Sequence, residues 1–444
     1  MPVSVEFLKE LPKCEHHLHL EGTLEPDLLF PLAERNGVAL PENFPKTTAE
    51  LEEKYKSFAD LQDFLNYYYI GTNVLLQEQD FFDLAWAYFS RVASQGLCHA
   101  EVFYDPQSHT ERGVALETVT AGFKRACERA ERELGITSKL IMCLLRHEAP
   151  AKCMDLVRAA QPLIQDGTIA ALGLDSAEKP FPPALFKDCY AAAKAMNPDL
   201  QLTAHAGEEG PAQFVTDALD LLHATRIDHG INSSQDPALL ERLARDRTLL
   251  TCCPLSNVKL QVVQDVRELP LQRFLDAGVP FSINSDDPAY FGGYILENYV
   301  AVSKAFPTWD VAVFAKIAAN AIEGSCVQVT LEDQKRINEF SKLVLRKDTA
   351  ASELARQRRE KEYLDDVSLE IELVDEDEKV QYRIGELFVF LPQAEVVAQL
   401  EKDMEALDER IAGLEDKEAA IDERIGELKG ELYAKFGDNI NLER

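Results

Sequence analysis

No run of about 18 apolar residues occurs anywhere in the 444-residue chain, so a membrane-spanning helix is not expected. Cationic side chains are scarce: 46 Lys and Arg stand against 77 Asp and Glu, a formal net charge of −31. Nucleic acids and membrane surfaces are anionic, so that balance argues against either as a partner. The opening MPVSVEFLKELPK lacks the basic-then-apolar order of a secretory signal. The nine cysteines are odd in number and nowhere in CxxC spacing, which fits buried thiols in a reducing compartment. The expected location is the cytoplasm, with the nucleus as an additional one. Neither GxGxxG nor GxxxxGK[ST] is present, so no phosphate loop of either type is expected.

What is present is unevenly distributed. All nine His, all nine Cys and both Trp precede residue 327. Residues 329–444 carry 31 acidic and 18 basic side chains, net −13, and the first 328 residues carry the remaining −18. The chain is also long for one ordinary domain. The composition break near Val327–Val329 therefore predicts one domain over residues 1–328 and another over 329–444.

In the first part, short β-branched runs alternate with helical patterns. Strands are expected over 14–20, 99–105, 139–145, 169–175, 200–206, 226–230, 248–254 and 279–285. Between them lie segments such as PALLERLARD (237–246), where Leu239, Leu240, Leu243 and Ala244 share a face. There, Asp236 before Pro237 reads as an N-cap followed by proline in the first turn. Eight strand–helix alternations over some 300 residues predict an α/β fold, a closed (β/α)8 TIM-type barrel. The polar residues support it. An imidazole or carboxylate in a strand buried on both faces is costly unless paired or bound to metal. Here such groups sit at strand ends, where barrel enzymes keep their chemistry.

The first of these ends is CEHHLHLEGT (14–23). Side chains at i and i+2 of a strand point the same way, so His17 and His19 can converge on one ion while His16 turns to packing. TAHAGEEG (203–210) adds His205 at the end of a strand and Glu208 three residues on. NSDDP (284–288) adds the carboxylates Asp286 and Asp287 after the last strand. Three neutral imidazoles and one carboxylate form a nitrogen–oxygen set of four ligands suited to Zn²⁺, with room for an activated water beside them. The adjacent Cys252 and Cys253 read as core residues at a strand end.

HHLHLEGT, TAHAGE, RIDHG, CPLSNVKL and NSDDP, in this order, resemble the adenosine/adenine deaminases of the metal-dependent hydrolase barrels over roughly residues 7–325. The resemblance implies that His17, His19, His205 and Asp286 bind one zinc ion per chain. It implies that Glu208 protonates the purine ring nitrogen N1, that His229 orients the activated water, and that Asp287 contacts the substrate. Within that family, adenosine enzymes typically carry Asp where this chain has Glu21. The longer carboxylate would intrude where a sugar sits, and GLDSAEKPFPP (173–183) is similar to the fungal adenine enzymes. The implied reaction is deamination of adenine to hypoxanthine and ammonia in purine salvage, with adenosine as the alternative substrate. Which of Ser176 and Glu178 lines the pocket stays open.

The acidic tail follows a different rule. Apolar residues recur at 400, 404, 407, 411, 414, 421, 425, 428 and 432, a heptad pattern broken once at Glu418, which predicts a coiled coil. A polar helix is expected over 331–364. VSLEIELV (367–374) alternates with period two, DEDEK (375–379) reads as a turn, and VQYRIGELFVFL (380–391) as the partner strand. VTLEDQKRINEFSKL, YRIGELFVFL and LYAKFGDNINLE closely resemble the β-class prefoldins, subunit 4 in particular. By that resemblance the hairpin joins other prefoldin subunits and the helices hold unfolded client proteins. No Gly/Ser/Pro linker separates the two patterns, which leaves two readings: a fusion of two domains, or two neighbouring genes read as one.

Overall fold

The computed structural model describes residues 3–436 apart from 60, 326–330, 377 and 385–386. The chain forms two compact units, Met1–Gln334 and Lys335–Leu442. The expected division near Val327–Val329 and most of LYAKFGDNINLE lie outside the described residues. No helix among the described residues is long and apolar enough to cross a membrane.

In the first unit eight parallel strands follow one another in chain order. They are β1 (Lys13–Glu15), β2 (Leu97–Tyr104), β3 (Thr137–Leu145), β4 (Ile169–Asp175), β5 (Gln201–Ala206), β6 (Arg226–His229), β7 (Leu249–Cys252) and β8 (Phe281–Ile283). The sheet closes on itself just beyond β1 and β8. There the Asp286 amide donates to the His17 carbonyl at 2.9 Å, and the His19 amide donates to the Asp286 carbonyl at 3.0 Å. This is the (β/α)8 barrel that the sequence pattern predicts.

The first strand is shorter than expected. Its regular ladder ends at Glu15, and only single parallel bridges follow, Leu18 to Asp286 and His19 to Phe103. The backbone there is shared between two neighbours, because Leu18 accepts from Phe103 on one side while His17 and His19 pair with Asp286 on the other.

Two buried cations of the barrel are held by partners. Arg226 of β6 makes an ion pair with Glu101 of β2, both fully or almost fully buried. Burial works against the Glu101 charge, but Arg226 and the nearby imidazoles outweigh it and hold the carboxyl well below its usual range. Lys13 is also buried, and its ammonium donates to the carbonyls of Leu11 and Gln95 at 2.8 Å each. Desolvation lowers its pKa to about 8.

In the second unit helix Leu331–Ile371 leads to a hairpin of β9 (Lys379–Ile384) and β10 (Leu387–Pro392), and helix Gln393–Phe436 returns. The long helices run antiparallel, with ion pairs Arg336–Glu431, Lys347–Asp422 and Arg358–Glu415. Leu354, Leu407 and Ile411 pack between them. The helix–hairpin–helix order is as expected, but the strand pairing is not. Residues 367–371 extend the first helix, and both hairpin strands come from 379–392. So short an alternation does not stop an established helix, since propagation is far easier than nucleation.

Helix Pro237–Asp246 begins as its sequence dictates. The Asp236 carboxylate accepts from the amides of Ala238 at 2.9 Å and Leu239 at 3.2 Å, and Leu239, Leu240 and Leu243 are buried. Replacing Asp236 with Ala is expected to destabilise the chain by about 1 kcal/mol, because two first-turn amides lose their acceptor. Denaturant unfolding of the full chain, compared with Asp236→Asn, checks this; an Asn variant as unstable as Ala would refute the capping role.

Candidate active site and metal centre

The chemistry-bearing strand ends meet at one mouth of the barrel. The His17 and His19 rings, placed just past β1, have centroids 5.6 Å apart, and His205 at the end of β5 lies 4.5 Å from His17 and 5.2 Å from His19. Asp286, past β8, brings Oδ1 to 3.5 Å from His17 Nε2 and 3.6 Å from His19 Nε2. His19 Nε2 and His205 Nε2 are 3.2 Å apart. Tetrahedral ligands on bonds of 2.0–2.1 Å would be separated by about 3.4 Å, so these spacings suit four atoms around one zinc-sized ion. His17 Nε2 is completely buried and has no hydrogen-bond partner. An imidazole nitrogen left this way in a dry site is costly unless a ligand meets it. The residues present therefore fit a metal ion.

The other faces of these rings are held by neighbours. His17 Nδ1 lies 2.9 Å from the Thr251 hydroxyl, which donates to Asp228 at 3.0 Å. Asp228 Oδ2 stands 3.7 Å from His205 Nδ1. Carboxylates behind ligating imidazoles orient the rings and raise their basicity. His16 faces elsewhere: its Nε2 meets the Ser325 hydroxyl at 2.8 Å, its amide donates to Asn284, and burial lowers its pKa to about 3.

Glu208 and His229 stand beside the cluster. His229 Nε2 is 3.4 Å from Glu208 Oε2 and 3.7 Å from Asp286 Oδ2. Asn257 donates to the other Glu208 oxygen at 2.8 Å. Burial, then the charges of Asp286 and Glu178, pushes the Glu208 carboxyl well above its usual range, which favours a proton on it. Burial and the adjacent His17 hold His229 well below the usual imidazole range, so it stays neutral. In Asp286 burial opposes ionisation, but His17, His229 and His19 prevail and the carboxyl is held low. Asp287 is raised by burial and by Asp286. Its Oδ1 is buried without a partner, and a Cβ on Gly22 would fall 1.9 Å from that oxygen, so only glycine fits beneath it.

Glu208, His229, Asp286 and Asp287 line a pocket together with His19, Tyr69, Asp105, Asp175 and Ser176. Ser176, His229 and Asp286 all hold positive φ values, 71°, 62° and 66°. Non-glycine residues in that region cluster at functional sites. The open choice between Ser176 and Glu178 resolves in the geometry: Ser176 lines the pocket, whereas Glu178 accepts backbone amides from Gly207 at 2.6 Å and Glu209 at 2.8 Å. Glu178 thus braces the loop that carries Glu208.

One expected substrate contact is not brought to the pocket. Glu21 is wholly buried behind the wall, accepting from His109 at 3.0 Å and from the Asp105 amide at 3.1 Å. Burial and the Asp105 charge raise its pKa to about 8. The short 3₁₀ turn Glu21–Thr23 folds the side chain away from the cavity. Conversely, Asp105, Asp175, Asp228, Thr251 and Asn257 were not singled out in the sequence. Asp105 and Asp175 are the final residues of two expected strands, so the strand-end rule that selected His205 would have selected them. Cys252 is buried in the core as expected; Cys253 lies beside His17, His229 and Asp286, its thiol kept protonated by burial.

Residues 12–340 match the family model described as adenosine deaminase, and residues 334–439 match a prefoldin subunit model. An adenine deaminase of Saccharomyces cerevisiae is 73% identical over 323 residues, 73% of this chain and 93% of its own length. A Schizosaccharomyces pombe adenine deaminase is 48% identical over 325 residues, 72% of this chain and 88% of its own. Among solved structures, an Arthrobacter aurescens adenine deaminase aligns with a TM-score of 0.69 at 43% identity, covering 74% of this chain and 97% of its own. A Burkholderia ambifaria amidohydrolase solved with bound zinc aligns with a TM-score of 0.67 at 25% identity, covering 76% and 91%. With a matching model over most of its length and relatives this similar, the chain belongs to the adenosine deaminase family.

Proposed function

We propose that the barrel is a zinc-dependent adenine deaminase, converting adenine and water to hypoxanthine and ammonia. The observation that carries this reading is the convergence of His17, His19, His205 and Asp286 at the spacing of a tetrahedral ligand set. Similarity to adenine deaminases of several fungi supports the choice of base over nucleoside. A zinc ion held by these four residues would act as a Lewis acid and lower the pKa of a water to about 7.

The chain's own groups would supply the rest. Glu208, kept protonated by its buried and negatively charged setting, donates to a ring nitrogen of the purine, drawing electron density away from the carbon under attack. Asn257 holds one Glu208 oxygen and leaves the other on the pocket side, near His229. His229, neutral, orients the attacking water and accepts its proton. Asp287 offers an unpartnered oxygen to a substrate N–H. His229 then passes that proton to the amino group, which leaves as ammonia, and the proton remaining on the added oxygen returns to Glu208 as the carbonyl forms, so one C–N bond is exchanged for one C–O bond.

The division at residues 328/329 and the role of the tail belong to the same proposal. The helix–hairpin–helix of the second unit and its match to a prefoldin subunit model support assembly with other prefoldin subunits, of the subunit 4 type, and capture of unfolded polypeptides. Phe388 and Phe390 are exposed on β10, an apolar edge that such an assembly would cover. No disulfide joins the described cysteines, most of which are buried, which suits the cytoplasm or nucleus and a place in purine salvage.

Purified chain is expected to contain one zinc and to release ammonia from adenine, with chelation abolishing activity and zinc restoring it. Turnover without metal would sink the proposal. Glu208→Gln should lower kcat by about 10²–10⁴-fold, the usual contribution of a positioned proton donor, with metal content unchanged. His17→Ala should instead lose the metal, measured by elemental analysis. Adenine should be used in clear preference to adenosine; the reverse ratio of kcat/KM would replace this reading by an adenosine deaminase.

A further inference from the structure

The pocket continues past His19 to two carboxylates that the mechanism above does not use. His19 presents Nε2 to the metal-ligand cluster, while Nδ1, on the opposite side of the ring, stands 3.5 Å from Asp175 Oδ2. Asp105 is the next neighbour, and ligand atoms of His19, Asp105 and Asp175 lie within 4.8 Å of one another. Both acids line the pocket and are 2–3% exposed. By distance and angle neither oxygen of Asp175 meets a donor, although the Asp105 carboxyl and the Cys143 thiol adjoin it, and Asp105 Oδ1 has none either, its Oδ2 accepting from the Tyr68 hydroxyl at 3.1 Å. No Lys or Arg is among the described residues lining this pocket. Buried acceptors left without donors at a cavity wall are a substrate-shaped deficit, since what enters must bring the donor.

A free purine base carries a donor that its nucleoside lacks, the N–H of the five-membered ring. With the amino-bearing carbon held at the metal end by Glu208 and His229, that ring must point away from the metal, along the wall where Asp105 and Asp175 lie. We infer that Asp175, with Asp105 beside it, accepts this N–H and makes the site selective for the free base. The inference rests on the adenine deaminase reading and places base selection here, rather than at Glu21 behind the wall. A nucleoside or N9-alkylated base would leave the acceptors unpaired, and a site built on a buried hydrogen bond rejects such analogues far more strongly than a merely apolar one.

The test uses the metal-loaded full chain with adenine and 9-methyladenine as substrates, and hypoxanthine and 9-methylhypoxanthine as unreactive ligands for calorimetric Kd. The unaltered chain should favour adenine in kcat/KM by at least about 10³-fold, as expected where a required N–H is missing from the competitor. Asp175→Asn keeps the volume but turns half the acceptor into a donor. It should collapse this ratio by about 10²-fold or more, mainly through loss on adenine, with the same collapse in the Kd ratio. Asp105→Asn should act in the same direction and serves if the first variant does not fold. A ratio unchanged in both variants would overturn the inference, since a steric wall would survive the substitution. So would an equal loss on both substrates, or a second metal equivalent that disappears with Asp175→Asn. If the unaltered chain deaminates no adenine at all, the adenine deaminase reading fails. The hypoxanthine Kd ratio then decides whether the wall selects free bases.

Discussion

Two backbone hydrogen bonds tie the beginning of the barrel to its end: Asp286 amide to His17 carbonyl, and His19 amide to Asp286 carbonyl. Residues some 270 positions apart are locked in register by this exchange. Because the same residues carry the converging side chains, closing the sheet and assembling the ligand set are one event. A slip of one residue would turn both imidazoles to the opposite face. The shortened β1 reflects that double duty, since the chain beyond Glu15 divides its pairing between β2 and the segment after β8.

The site built on that closure concentrates charge where water is excluded. His17, His19, His205, His229, Glu208, Asp286 and Asp287 are all at least nine-tenths buried. Such a set is tolerable only if its members neutralise one another or share a cation, because an isolated buried charge is prohibitively costly. Their environments drive them apart: Asp286 is held ionised by imidazoles, while Glu208 and Asp287 are driven toward the protonated form. Carboxyl groups a few ångströms apart thus take opposite roles, one as ligand and the other as acid, through the neighbours each one faces.

Behind the reactive groups stands a layer that does no chemistry but sets positions. Thr251 and Asp228 hold His17 and His205, Asn257 holds Glu208, and Glu178 gathers the amides of the loop after β5. These residues come from β6, β7, the helix after β7 and the segment after β4, so His17, His205 and Glu208 are held from strands other than those they follow. The C-terminal unit is organised differently, by a narrow apolar seam flanked by exposed ion pairs worth little individually.

Strand–helix alternation, the imidazole pair at i and i+2, and polar residues at strand ends were legible because they are periodic or local. The heptads of the tail were legible for the same reason. Local pattern misled where it was short: VSLEIELV alternates like a strand, yet a helix already running through it continued. The placement of Glu21 and the presence of Asp105, Asp175 and Asn257 around the pocket could not be read locally. Each depends on where a side chain points after a turn, and on what a strand from elsewhere in the barrel sets opposite it. By itself the sequence determined the barrel, the helix–hairpin–helix and which residue types gather at the strand ends, because backbone periodicity and burial cost are properties of short segments. Only the tertiary structure decided which carboxylates face the cavity and which stand behind it, because the direction of a side chain relative to a closed sheet is set by contacts hundreds of residues away.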